Sequence, residues 1–332
     1  MLADNLEKLK ILSATMGHDS SIIQATGGNT SLKENGVLWV KASGKNLANA
    51  LQEEIFVPLD LAQVLGEIHN PEDRDFSFQH LSGPGLRPSI ETTLHALMPH
   101  PVVLHSHAID VIALSLLPEA QVTLATVLGD LAWHWIPYCR PGKPLTRAIA
   151  AALARHPADV LILANHGLVV GGASPAQAAA LQAEVSQRLR QTPRPYTQAN
   201  QGELTEQLAT LAGARLPQAP VIHSLATDPW SFELALGNPP YPDHVVFCGV
   251  RPWVVTAPTP PTGDTDYGLI PGVGVILLAA ASAAAEAMLQ AQAEVFLRIP
   301  PGRSVNLLSD SQCAELLNWD AEKYRQALEK AA

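Results

Sequence analysis

The stretch Val102-Val103-Leu104-His105-Ser106-His107 constrains this chain most. Three apolar residues run straight into two histidines spaced i, i+2. On a β-strand that period puts both imidazoles on one face. A second apolar run, Val160-Leu161-Ile162-Leu163-Ala164, ends in Asn165-His166-Gly167. A His-x-His by itself is better explained by packing in a core. Two strands that each end in histidine point instead to one three-histidine site. Three protein ligands plus an open position is how a catalytic zinc is commonly held.

The rest of the chain sets bounds on that site. At 332 residues and 47% hydrophobic, the chain can bury a sizeable core and form two domains. A formal charge of −10 argues against a nucleic-acid partner and against an anionic membrane surface. A small anionic substrate remains compatible with it, through a local pocket. Cys139, Cys248 and Cys313 are far apart, odd in number and without a CxxC, which fits a cytoplasmic protein. The first ten residues mix acid and base and lack the apolar centre of a signal peptide. Residues 267–285 carry no charge and approach membrane-spanning length, but Pro271, Gly272 and Gly274 interrupt them. A buried strand followed by a helix is the better reading of that segment.

Taken in order, residues 4–16 place Leu6, Leu9 and Leu12 at helical spacing. Gly27-Gly28-Asn29-Thr30-Ser31 is a glycine turn loaded with donors. Such backbone can cradle an anion, although a tight turn before a strand explains this piece better when it is taken alone. Residues 37–41 read as a strand that leads into Ala42-Ser43-Gly44-Lys45, a second small loop with a hydroxyl, a glycine and a cation. Neither loop matches a Walker A or dinucleotide fingerprint. Residues 56–65 read as a strand and short helix, and residues 70–85 as a polar surface loop. A helix is expected to start at Ser89, with Ser89 as N-cap and Glu91 in its first turn. Glu91 there either favours the helix dipole or serves as a general base beside the metal. His95, one turn on, reads as structural. Helices are expected over residues 110–117, 147–155 and 174–190, and a strand over 131–137. Residues 138–144 read as a rigid loop with two cations.

A catalytic domain over residues 1–195, a linker over 196–220 with a helix at 202–212, and a smaller C-terminal α/β domain over 221–332 are expected. The second part carries an internal echo. LVVGGASPAQAAALQAEV from Leu168 resembles VILLAAASAAAEAMLQAQAE from Val275, and PHPVVLHSH from Pro99 resembles PDHVVFCGV from Pro242. In the latter copy Cys248 and Val250 stand where His105 and His107 stood, so the echo implies a degenerate strand-helix unit without the histidines.

With these motifs in their order, the sequence resembles the class II aldolase/adducin family over roughly residues 5–195. The motifs are Gly27-Gly28-Asn29-Thr30-Ser31, Ala42-Ser43-Gly44, Ser89-Ile90-Glu91, His105-Ser106-His107 and Ala164-Asn165-His166-Gly167-Leu168. The resemblance implies an α/β fold, a three-layer α/β/α sandwich around a mainly antiparallel sheet. It implies that His105, His107 and His166 bind Zn²⁺, or another divalent cation such as Mn²⁺, and that Glu91 is the catalytic acid/base. Asn29, Thr30, Ser43, Gly44 and Ser89 become candidate donors to a substrate phosphate. It also implies a homo-oligomer, a tetramer in many family members. The activity implied is that of an aldolase, cleaving or forming a C–C bond in a sugar or sugar phosphate through a metal-stabilised enediolate. Dehydration, epimerisation and decarboxylation use the same chemistry, and an adducin-like interaction module is the non-catalytic alternative. The retained histidines argue against that module. Two departures bear on substrate: Ile90 stands where sugar-phosphate aldolases commonly have a second hydroxyl residue, and Tyr138 is not clearly in register with the family's tyrosine.

Overall fold

In a computed structural model that describes residues 2–70, 75–82, 85–256 and 266–331, the chain divides into two units. Residues 1–111 and 119–190 form the first, and residues 112–118 and 191–332 the second. The opening elements are helix α1 (Leu2–Gly17), strands β1 (Asn29–Glu34), β2 (Val37–Lys41) and β3 (Phe56–Asp60), and helices α2 (Leu61–Ile68) and α3 (Thr92–Leu97). Strand β4 (Val102–Ser106), helices α4 (Ile109–Ser115) and α5 (Ala120–Val127), and strand β5 (Trp133–Ile136) follow. Helix α6 (Lys143–Leu153), strands β6 (Val160–Leu163) and β7 (Gly167–Gly172) and helix α7 (Pro175–Arg188) complete the series.

Seven strands form one sheet in the order β3-β2-β1-β4-β7-β6-β5. Connection length sets the strand directions. Two residues join β1 to β2 and three join β6 to β7, so both pairs are antiparallel hairpins. The crossover through α6 makes β5 and β6 the parallel pair. Alternation then sorts the side chains. Val103, Leu161, Leu163 and Val169 pack with Leu94 of α3, with Met98 just past its end, and with Leu145 and Ile149 of α6. Leu38, Val40, Val57 and Leu59 pack on the same side with Val64 of α2 and Ala96 of α3. On the other face Thr30 meets Ser13 of α1, and Ser106 bonds Gln182 of α7. This is a three-layer α/β/α sandwich around a mainly antiparallel sheet, as the resemblance implies.

The differences from the sequence reading have local causes. Helix α3 begins at Thr92, not Ser89. Ser43 N bonds Arg87 O at 2.8 Å and Ser89 N bonds Lys41 O at 3.1 Å, which keeps residues 87–89 extended beside the end of β2. Helix α6 starts at Lys143 because Pro144 sits in its first turn, where a missing N–H costs nothing. Of the surface loop expected at 70–85, residues 71–74 and 83–84 lie outside the described residues; His80 bridges to Leu59.

The second unit contains α8 (Gln201–Thr210), α9 (Ser224–Thr227), α10 (Pro229–Ala235) and α11 (Pro242–Cys248). Strands β8 (Trp253–Val254), β9 (Tyr267–Ile270) and β10 (Gly274–Leu277) come next, then α12 (Ala283–Leu297), α13 (Asp310–Leu317) and α14 (Asp320–Ala331). Its small sheet has the order β10-β9-β8. The uncharged run over 267–285 is a hairpin leading into α12, and no helix among the described residues is long and apolar enough to cross a membrane. Residues 196–220, expected as a linker, include α8, whose Leu204 is buried with Trp253, Ile270 and Ile276. The segment 242–250, expected as a strand by its echo of 99–107, is helical. Pro242 opens α11, Gly249 at φ +75° ends it, and Cys248 Sγ donates to Ala285 O of α12 at 3.3 Å. A short apolar run carries no period of its own, so its partners decided its form. The other half of the echo, β10 into α12, does follow the strand-to-helix pattern of β7 into α7.

Candidate metal centre

Three short pieces of backbone deliver the histidines. His105 lies on β4, opposite Asn29 of β1 on one side and Val169 of β7 on the other. It points to the α3 face, as Val103 does. Its Nδ1 donates to Leu168 O at 3.0 Å, which fixes the tautomer and leaves Nε2 as a lone-pair donor. His107 follows the end of β4. Its N–H bonds Ile22 O at 2.9 Å, and its carbonyl accepts from Gln24 Nε2 at 3.3 Å. His166 sits in the β6–β7 turn, where Asn165 adopts φ +55° and Leu163 pairs with Gly167. Gly167 is required there. At φ +158° a Cβ would stand 2.2 Å from Ser106 O, so only glycine lets the His166 turn lie against the His105–His107 segment.

The three rings form a nearly equilateral triangle. Centroid separations are 5.0 Å for His105–His107, 4.9 Å for His105–His166 and 5.2 Å for His107–His166. One ligand nitrogen from each ring lies within 4.8 Å of the others, and all three residues are buried. The sequence expectation that these two segments converge thus describes the geometry.

Glu91 stands beside two of the rings. Its Oε2 is 3.3 Å from His105 Nε2, and its Oε1 is 3.3 Å from His166 Nε2. Burial pushes its carboxyl up, but His105, His166, Asn29 and His107 outweigh burial and hold it at about 2. At neutral pH it is therefore a carboxylate, the form that can accept a proton. Strand β1 builds the support behind it, using every second residue. Asn29 Nδ2 donates to Glu91 Oε2 at 2.8 Å. Ser31 Oγ meets His95 Nδ1 at 2.7 Å. Lys33 Nζ donates to His95 O at 2.8 Å and to Met98 O, closing the C-terminal turn of α3. Desolvation pushes the Lys33 ammonium down to about 7. His95 Nε2 also bonds Asn29 Oδ1, and burial first, then His105, pushes its ring down to about 3, so it is neutral.

The donor loops gather at the same edge of the site. Lys41 Nζ donates to Thr26 O at 2.8 Å and Gly28 O at 3.0 Å, tying the glycine turn to the end of β2. The bonds from Ser43 N and Ser89 N bring the 41–44 and 87–89 segments together. Gly44 adopts φ +74°, and Ser89 Oγ accepts from Glu91 N at 3.2 Å. Thr30 is not brought in. It lies on β1 one residue past Asn29, so its side chain points to the opposite face and its hydroxyl meets Ser13 Oγ at 2.7 Å. Asn29 is brought in, with its amide engaged by Glu91 and His95. The sequence marks His95 only as structural and gives no role to Lys33, Lys41 or Gln24. The i, i+4 spacing of Glu91 and His95 was the one signal that could have found any of them.

The residues fit a divalent cation. His105 Nε2 is wholly buried and has no hydrogen-bond partner among the described residues, while its other nitrogen is satisfied. Three imidazole nitrogens with a carboxylate alongside are a nitrogen-rich donor set suited to zinc or a neighbouring transition metal.

The chain is similar to several known proteins. Uncharacterized oxidoreductase YuxG of Bacillus subtilis (strain 168) is 32% identical over 187 residues, which cover 52% of this chain and 27% of that protein. The chain therefore spans about a quarter of the length of that relative. The N-terminal class II aldolase domain of a conserved protein from Thermoplasma acidophilum is similar at 25% identity and a TM-score of 0.48, covering 56% of this chain and 92% of that one. A sugar-phosphate aldolase from Thermotoga maritima is similar at 14% identity and a TM-score of 0.45, covering 57% and 93%. The family model described as Class II Aldolase and Adducin N-terminal domain matches residues 12–192, the span that holds all three histidines, Glu91 and the donor loops. By that match over more than half its length, the chain belongs to the class II aldolase and adducin N-terminal domain family.

Proposed function

We propose that the first unit is a metal-dependent lyase of the aldolase type, acting on a sugar or sugar phosphate. The observation that carries this reading is the buried Glu91 carboxylate, 3.3 Å from both His105 Nε2 and His166 Nε2. His105, His107 and His166 would hold the ion, with zinc favoured by the three-imidazole set. A bound divalent ion supplies Lewis-acid charge to substrate oxygens. The remaining work falls to the chain. Glu91 takes the proton from the carbon next to the substrate carbonyl, giving an enediolate, and returns it in the reverse direction. Asn29 keeps the carboxylate aimed by its 2.8 Å bond. A non-catalytic interaction module would have no use for a buried base so held.

Ser43, Gly44 and Ser89 are assigned to the substrate phosphate, with Lys41 supplying buried positive charge behind them. Thr30 is left out of this set because its hydroxyl faces α1. Ser43→Ala tests the assignment. One hydrogen bond to a charged group is worth about 1.5–3 kcal/mol, so KM for phosphorylated substrates is expected to rise about tenfold or more. Unphosphorylated analogues should change little. Equal loss on both would reject the phosphate role.

A further inference from the structure

We propose that His95 is a positioning residue for Glu91, whose ring N–H fixes which end of the Asn29 amide meets the carboxylate. Asn29 Nδ2 donates to Glu91 Oε2 at 2.8 Å. The amide oxygen then faces His95 Nε2, which must carry the ring proton. His95 Nδ1 is left as an acceptor, and Ser31 Oγ, at 2.7 Å, donates to it. Each assignment forces the next. A flipped amide would set its oxygen against the carboxylate and its N–H against the ring N–H, two clashes at once. All four residues are buried, with His95 and Ser31 at 0% exposure, so water cannot repair a wrong orientation. His95 and Glu91 lie one turn apart on the α3 segment, and Asn29 and Ser31 are alternate residues of β1. The line therefore runs Ser31, His95, Asn29, Glu91 across one strand–helix contact.

This role differs from packing. A packing residue would tolerate any side chain of like volume, whereas an orienting residue needs a donor at Nε2. The consequence for turnover rests on the aldolase reading; the hydrogen-bond order does not. In metal-free wild-type protein, ¹⁵N spectra of the His95 ring are expected to show a protonated Nε2 and a bare Nδ1. The reverse tautomer would overturn the proposal without any variant having to fold. The variants His95→Gln, which keeps a donor, and His95→Met, which does not, supply the second arm. In metal-free protein the Asn29 side-chain amide resonances should stay near their wild-type positions in His95→Gln and shift in His95→Met. With zinc added, Glu91-dependent proton exchange on dihydroxyacetone phosphate should fall about 10- to 100-fold in His95→Met and recover most of that in His95→Gln, in kcat more than in KM. Equal behaviour of the two variants would reduce His95 to packing and sink the proposal. If wild-type protein exchanges no proton with this probe, the aldolase reading fails, while the ring tautomer and the amide resonances still decide the role of His95.

Discussion

Glu91→Gln is expected to keep the metal and lose the chemistry. Glutamine has the shape of glutamate and can still accept the Asn29 hydrogen bond, so the α3–β1 contact is preserved. The three imidazoles are untouched, and bound divalent ion should stay at its wild-type level by elemental analysis. A neutral amide cannot take the proton, and loss of a positioned general base costs about 100- to 10,000-fold. The measurement is exchange of substrate C–H with solvent deuterium, which needs no knowledge of the aldehyde partner. Exchange at the wild-type rate would show that another group is the base. Loss of the ion would show Glu91 to be mainly a metal ligand.

His105→Ala has the second large effect. Two imidazoles remain, on His107 and His166, and the ligand set falls below the three protein ligands of a catalytic zinc site. Bound ion should fall from about one per chain to near zero, and activity with it. His105 is fully buried in the middle of the sheet, so far-UV circular dichroism and a urea titration must accompany the metal assay. A folded variant that retains the ion would mean that the three rings do not share one cation.

The parts of this site that could be read from the sequence are those governed by a local period. The alternation at Val37–Lys41 predicts a strand, and those residues form β2. The i, i+2 spacing of His105 and His107, and the apolar run before His166, carried the triad. What could not be read is register. Nothing in the string sets Asn29 opposite His105, yet that pairing is what brings an asparagine to Glu91. The error over Thr30 has the same root. Reading Gly27-Gly28-Asn29-Thr30-Ser31 as one loop hid the fact that β1 already begins at Asn29, so alternation turns Thr30 away. His95 was visible as Glu91 plus four, but its worth depends on Ser31 and Asn29, more than sixty residues earlier. The helix α11 marks a different limit: its apolar residues satisfy a strand or a helix equally, and α12 chose between them.

The most direct test is a crystal structure of zinc-loaded protein soaked with phosphoglycolohydroxamate, with anomalous data at the zinc edge. The account predicts one anomalous peak per chain, about 2.0–2.1 Å from a ring nitrogen of each of His105, His107 and His166, with Glu91 alongside. A peak that leaves out any of these rings, or no peak within the triangle they form, would contradict it.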